Sequence, residues 1–207
     1  MICRVFDGLF DPMYIHQIDA LVKQIPTSLN NVANRKTWPY QTQGTHRLMG
    51  QTLFDRKGLN NITRVHEECG TFIEIFEMLE EKLNADFYLS QISLNVQHCG
   101  CDGTTHTDSP DSNDITLLMM TNADWKSEWG GQFQLTTPDG MEVIEEHEYV
   151  PGRIIVVPSN HPHRGLGPVQ PYVYRTSIVW RVTPLDYYLK NNFKESVISR
   201  GYCGKYE

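Results

Sequence analysis

The chain has no apolar run approaching the roughly 18 residues that cross a bilayer, so no membrane span is expected. The opening stretch is not expected to act as a secretory signal either: "MICRVFDGLFDPMY" carries Arg4 and Asp7 inside its apolar stretch. Cysteine is scarce, and its count is odd. Cys3, Cys69, Cys99, Cys101 and Cys203 are scattered and do not suggest a disulfide framework. Cys99 and Cys101 form a C-x-C pair with His98 and His106 near, but a zinc site needs four ligands at a recognisable spacing. With no second cysteine pair, the reading is reduced thiols at a strand end, in a reducing cytoplasm. Positive charge is in deficit as well. The formal charge is −7, which argues against nucleic acid or an anionic membrane as the main partner.

What is present is enough apolar material for a sizeable core. Hydrophobic residues make up 40% of 207 positions, the size of one compact domain. "FDPMYIHQIDALVKQIP" reads as a first helix, capped by Asp11, with Pro12 at its first position and an apolar stripe of Ile15, Ile18, Leu21, Val22 and Ile25. "TRVHEECGTFIEIFEMLEEKLN" reads as a second, with Val65, Cys69, Phe72, Ile73, Phe76, Leu79 and Leu83 on one face and Gly70 as a weak point. Between them, residues 27–61 are polar and too long for an ordinary connector. They hold either short strands or a loop over the site, with Trp38 and Tyr40 as its aromatics.

From residue 87 the period changes to two. "FYLSQISLNVQ" sets Tyr88, Ile92, Leu94 and Val96 against Gln91, Ser93, Asn95 and Gln97. The strand candidates "DITLLMMTN", "GQFQLTT", "MEVIEE", "GRIIVVP" and "YVYRTSIVWRV" follow, most of them separated by turn residues. Strands do not alternate with helices, which excludes a parallel α/β sheet. The expected fold is α+β, mainly β: two helices leaning on a sandwich or barrel. The tail from Pro184 reads as irregular or partly helical.

Chemistry concentrates in two clusters. "DGTTHTDSPDSND" holds His106 and Asp108, which point to the same side of an extended segment. "PSNHPHRGLGPVQPYVYRTSIVW" holds His161, His163, Arg175 and Ser177. Two histidines and a carboxylate that leave coordination positions open form the facial triad of non-haem Fe(II) oxygenases. Arg175 falls on the inward face of a core strand, where a guanidinium is costly unless paired. It makes a buried salt bridge or awaits an anionic ligand. Trp125, Trp129 and Trp180 read as packing residues, and Gly130 and Gly131 as permitting a turn or close approach.

In this order and spacing the chain resembles 2-oxoglutarate/Fe(II)-dependent dioxygenases, in their prolyl 4-hydroxylase-like branch. The segments that carry the resemblance are "HTD", "WGGQFQL", "VPGRIIVVPSNHPHRGLGPV" and "RTSIVW", between about residues 88 and 182. It implies a double-stranded β-helix, or jelly roll, with supporting N-terminal helices. Residues 1–207 would be a single domain, with helical support at 1–86, a jelly-roll core at about 87–182 and a tail at 183–207. The resemblance further implies Fe(II) on His106, Asp108 and His163, and Arg175 on the far carboxylate of 2-oxoglutarate, a place where many members of the branch carry lysine. Ser177 could bond the same carboxylate. "HRGLGPV" fits the family pattern after its last iron-binding histidine, which selects His163 over His161. Asn95 is a further candidate for the cosubstrate, against a purely structural role, and Tyr88 would lie on the opposite face of a regular strand.

The implied reaction consumes Fe(II)-bound 2-oxoglutarate and O2, with ascorbate as a reductant, to hydroxylate a C–H bond. The branch suggests a prolyl residue of a peptide or protein as substrate. Two rivals stand beside this reading: a non-catalytic jelly-roll protein with a structural metal, and a cupin-like oxygenase that does not use 2-oxoglutarate. Both leave Arg175 unexplained.

Overall fold

The computed structural model describes residues 2–32 and 47–192. In chain order its elements are β1 (Arg4–Phe6), α1 (Pro12–Val22), β2 (Ser28–Val32), β3 (Arg47–Arg56), β4 (Ile62–Val65), α2 (Cys69–Leu83), β5 (Phe87–His98), β6 (Ile115–Met120), β7 (Phe133–Thr136), β8 (Val143–His147), β9 (Ile154–Pro158), β10 (His163–Gly165), β11 (Tyr174–Pro184) and α3 (Leu185–Asn192). All strand pairings are antiparallel. The larger sheet runs β1-β9-β6-β11-β5-β3-β2, with β4 also on β3; the smaller runs β10-β7-β8. This is the mainly β jelly roll expected. Among the described residues no helix is long and apolar enough to cross a membrane.

Helix α1 forms as its sequence indicates. The Asp11 carboxylate accepts the Met13 amide at 2.8 Å, Pro12 needs no partner at the first position, and Ile15, Ile18 and Val22 are buried. Helix α2 begins later than its apolar stripe suggests. Ile62–Val65 is instead strand β4, paired with β3, and Val65 is exposed. Thr and Val are β-branched and favour the sheet edge over a first helical turn. Gly70 therefore lies in the first turn of α2 rather than its interior, where its entropy cost is smaller. Asn84 closes the helix in the left-handed conformation, φ 50°.

Residues 1–86, read as helical support, also contribute β1 to β4. Within 27–61 the strand alternative holds for β2 and β3, while Trp38 and Tyr40 lie outside the described residues. Of the tail, α3 is helical, and residues from 193 onward lie outside the description.

Two cores share the larger sheet. On its outer face α1 and α2 pack Ile18, Phe72, Ile75 and Leu79 against Ile92, Leu94, Leu117, Met119, Ile178 and Trp180. On its inner face Leu118, Met120, Ile155, Val157 and Val179 meet Phe133, Leu135 and Tyr149. Successive residues of β6 and β11 thus go to opposite cores. A strand covered on both faces reads as a continuous apolar run, hence "ITLLMM".

Strand β5 departs from regular alternation. Gln91 pairs with Arg181 but Leu89 with Val182, so Ser90 is an extra residue. The bulge sends Leu89, not Tyr88, to the helix-side core with Ile92 and Leu94. Tyr88 therefore turns to the same side as Asn95, correcting the expectation of opposite faces. It lies near the far end of the strand, stacked on Tyr188 at 3.6 Å beneath Arg56.

Candidate metal centre

The two chemical clusters are joined by backbone before any side chain meets. His106 and His163 form an isolated antiparallel bridge, each amide donating to the other's carbonyl at 3.0 and 2.9 Å. The Asp108 amide donates to the Ser159 carbonyl at 2.8 Å. These bonds clamp the loop after β5 to the turn between β9 and β10.

The imidazoles are oriented by the same backbone. Nδ1 of His106 lies 2.8 Å from the Thr104 carbonyl, and Nδ1 of His163 lies 2.8 Å from the His161 carbonyl. A carbonyl can only accept, so each Nδ1 carries the proton and each Nε2 presents its lone pair. The ring centroids are 4.7 Å apart. Nε2 of His163 is 3.4 Å from Asp108 Oδ2, and Nε2 of His106 is 3.8 Å from Oδ1. One donor atom from each residue lies within 4.8 Å of the others, a group able to hold a metal ion. His163 enters this group; His161 supplies only its carbonyl to it, and its buried Nε2 has no hydrogen-bond partner.

Asp108 is held ionised. Burial alone would favour the protonated acid, but the surroundings, the Arg181 cation foremost, outweigh it and keep the carboxyl well below its usual range. Arg181 Nη2 donates to Oδ1 at 2.7 Å, and Thr116 Oγ1 donates to Oδ2 at 2.8 Å. Each carboxylate oxygen keeps lone-pair capacity beyond these bonds.

Arg175 is 2% exposed. Its Nε donates to the Gly131 carbonyl at 2.9 Å, and Nη1 donates to Gln97 Oε1 at 2.8 Å and, more weakly, to Ser177 Oγ at 3.4 Å. Nη2 is buried without a partner. The guanidinium stands over the Tyr149 ring at 5.4 Å, and burial pulls its pKa below the usual arginine value. Of the two sequence alternatives, no carboxylate bridge forms among the described residues. Gly131, at φ +80°, admits this arrangement: a Cβ there would sit 2.8 Å from Trp125 Cζ2 and 3.4 Å from Arg175 Cδ. Ser177 is buried beside Arg175, and Asn95 stands opposite Ser177 in register, half-buried. Trp180 belongs to the helix-side core, its Nε1 donating to the Phe72 carbonyl. Trp125 packs on Trp129 and Tyr149.

The distance between metal group and arginine follows from strand geometry. Gly165 lies against the guanidinium, since a Cβ on it would be 3.3 Å from Arg175 Cζ. His163 is two residues earlier on β10 and faces the same way. Two residues along a strand span about 7 Å, which a five-carbon dicarboxylate bridges.

Sequence reasoning missed Gln97, Arg181, Thr116 and Tyr149. Gln97 holds Arg175 with its oxygen and the Cys101 and Gly165 carbonyls with its nitrogen, at 3.0 and 2.9 Å. The stripe of Gln91, Ser93, Asn95 and Gln97 carried the signal, but an alternating polar face is ordinarily a solvated one. Here it looks into the jelly roll.

Residues 92–180 match the family model of the 2OG-Fe(II) oxygenase superfamily, and the resemblance read from the sequence is borne out. The family implies Fe(II), 2-oxoglutarate and O2 as cofactor and cosubstrates. Among solved structures, the chain is similar to a 2OG-Fe(II) oxygenase family oxidoreductase from Burkholderia pseudomallei, at 16% identity and TM-score 0.61 over 88% of this chain and 85% of that one. A prolyl-4-hydroxylase from Pseudomonas putida is 15% identical, TM-score 0.56, over 88% and 92%. A Trichoplax adhaerens prolyl hydroxylase, solved with a hypoxia inducible factor peptide, is 14% identical, TM-score 0.59, over 89% and 84%. No curated protein matches the chain by sequence.

Proposed function

We propose that residues 1–207 act as one 2-oxoglutarate- and Fe(II)-dependent dioxygenase domain that hydroxylates a C–H bond, with a prolyl residue of a peptide or protein as substrate and the cytoplasm as its place of work. His106, Asp108 and His163 hold the iron, each histidine through Nε2. Arg175 takes the far carboxylate of 2-oxoglutarate, Ser177 contributes a hydroxyl to the same end, and Asn95 borders the cosubstrate from the neighbouring strand. The observation that carries the reading is the buried Arg175: a guanidinium with an orphaned Nη2 and no carboxylate partner among the described residues, about two strand residues from the imidazole group.

The donor set suits Fe(II), and three protein ligands leave one face of an octahedron for cosubstrate and oxygen. When bound, iron and 2-oxoglutarate supply the oxidation: cosubstrate and O2 become succinate and carbon dioxide, and one oxygen atom passes to the substrate. The chain's residues do the rest. Arg175 fixes the cosubstrate at one end before oxygen arrives, which limits unproductive orientations. Gln97 and the Gly131 carbonyl hold the guanidinium over the Tyr149 ring, so the anchor is preorganised. The Thr104 and His161 carbonyls hold the ligand tautomers, and Arg181 with Thr116 keeps Asp108 ionised and turned inward.

Prolyl specificity rests on the branch resemblance and on the peptide bound by the Trichoplax protein. Anaerobic addition of 2-oxoglutarate to the Fe(II) protein should produce a weak visible charge-transfer band. Incubating a proline-containing peptide library with oxygen, Fe(II), 2-oxoglutarate and ascorbate should then add one oxygen to prolyl residues, read by mass spectrometry. Succinate formed with oxidation only at other residues would retain the oxygenase and remove the prolyl assignment. Metal binding without the band or succinate would favour a structural metal, and turnover independent of 2-oxoglutarate would favour the cupin-like rival.

A further inference from the structure

A second group of metal-capable side chains stands apart from His106, Asp108 and His163. Cys3, just before β1, meets Glu145 and His147 of β8 across the gap between the edges of the two sheets. Cys3 Sγ is 3.0 Å from His147 Nε2 and 3.4 Å from Glu145 Oε1, and His147 Nε2 is 3.2 Å from that same oxygen. The other carboxylate oxygen accepts the Ile2 amide at 3.0 Å, which aims Oε1 at the cluster. The thiol is 2% exposed, and the two side chains facing it are 15% and 18% exposed.

We infer that Cys3, Glu145 and His147 bind a zinc ion that clips the N-terminal strand to the smaller sheet. Thiolate, imidazole and carboxylate are all zinc ligands. At the usual zinc bond lengths, a tetrahedron places its donor atoms about 3.3–3.6 Å apart. The observed nitrogen–oxygen and sulfur–oxygen separations of 3.2 and 3.4 Å need to open by about 0.2 Å and the sulfur–nitrogen separation of 3.0 Å by about half an ångström. The same three groups without metal form a hydrogen-bonded triad, in which the Cys3 thiol and the Nε2–H of His147 both donate to Glu145 Oε1. Without metal the thiol is inert: burial and the neighbouring Glu145 push its pKa up to about 12. Zinc binding forms the S–Zn bond and releases that proton to solvent, so a coordinated thiolate replaces the thiol. Water completes the fourth position. The mixed donor set separates this site from the iron ligands, which include no sulfur.

The mechanical consequence follows from topology. β1 has three residues and, among the described residues, pairs with β9 alone, at the edge of the larger sheet. β8 is the edge of the smaller sheet. A metal between them joins the β1 edge of the larger sheet to the β8 edge of the smaller one. It also ties residues 142 and 144 positions apart, a separation that hides the site from any reading of local spacing.

The test is anaerobic titration of the full chain with Co(II), a spectroscopic substitute for zinc. A thiolate–Co(II) charge-transfer band should appear in the near ultraviolet, saturating at one equivalent once the competing centre is removed. It should persist in Asp108→Ala, which disables the other centre, and in the Cys99→Ser/Cys101→Ser double variant. It should vanish in Cys3→Ser, and in His147→Gln it should need roughly tenfold or more Co(II) to saturate. Zinc should raise the melting temperature of Asp108→Ala but not that of Asp108→Ala/Cys3→Ser. Circular dichroism of Cys3→Ser and His147→Gln checks that both fold. No band, a band kept by folded Cys3→Ser, or one lost with Cys99 and Cys101 overturns the assignment.

Discussion

Replacing Arg175 by methionine separates an arginine that waits for a ligand from one that supports the fold. The change removes a buried cation, whose desolvation penalty is several kcal/mol even after relaxation. It also removes the orphaned Nη2, worth about 1–3 kcal/mol. Against this, the Gly131 carbonyl and Gln97 Oε1 lose their donor, at about 1–3 kcal/mol each. Methionine keeps an unbranched stem to pack on Tyr149. The two sides nearly cancel, so the ligand-free variant should unfold within about 2 kcal/mol of wild type. A structural ion pair broken at one partner would lose about 3–5 kcal/mol. The ligand response is the second half of the test. At a hundredfold excess over Kd, 2-oxoglutarate should add about 2.7 kcal/mol to the metal-loaded wild type and nothing to the variant. Anaerobic urea unfolding, with and without 2-oxoglutarate, reads both quantities. A ligand-free loss above about 3 kcal/mol, or a ligand shift that survives in Arg175→Met, would refute the reasoning.

Four further outcomes are expected. Asp108→Ala should lose iron binding by calorimetry, while Arg175→Met retains it. Gly165→Ala places a Cβ 3.2 Å from Gln97 Oε1 and 3.3 Å from Arg175 Cζ, and should weaken 2-oxoglutarate roughly tenfold, about 1.4 kcal/mol, while leaving iron affinity near wild type. Trp180→Phe removes buried volume and the indole bond to the Phe72 carbonyl, which keeps its place in α2, and urea denaturation should show a loss of about 2 kcal/mol. The hydrogen bonds and charge of Arg153 lower the pKa of Asp7, so their stabilisation is present above the unfolded carboxyl value and fades as pH falls through the folded one. Asp7→Asn should therefore lower the urea midpoint at neutral pH and shrink the difference between wild type and variant below about pH 4.

Local order was legible where one residue's neighbours decide its state. Asp11-Pro12 marks a helix start because the cap bond and the missing amide act within one turn. The "HTD" triplet points two donors one way because an extended chain alternates. Arg175 raises the question of a counterpart because a cation inside a core strand is costly unless paired. Other features depend on partners that no local window contains. Ile62–Val65 became a strand because β3 was available to pair with it. The Ser90 bulge reversed the facing of Tyr88 through a register set by β11. Gln97 looks inward because the larger sheet is covered on that side too.

The sequence alone determined the kinds of donor, their order along the chain and the two-residue spacing that lets His106 and Asp108 converge, since these follow from backbone periodicity and side-chain chemistry. The family pattern pointed to His163 as their partner, but only the tertiary structure decided what stands beside Arg175 and that Cys3 meets β8. Those contacts join segments far apart in the chain, and the distances between them are set by strand pairing and sheet packing rather than by spacing in sequence.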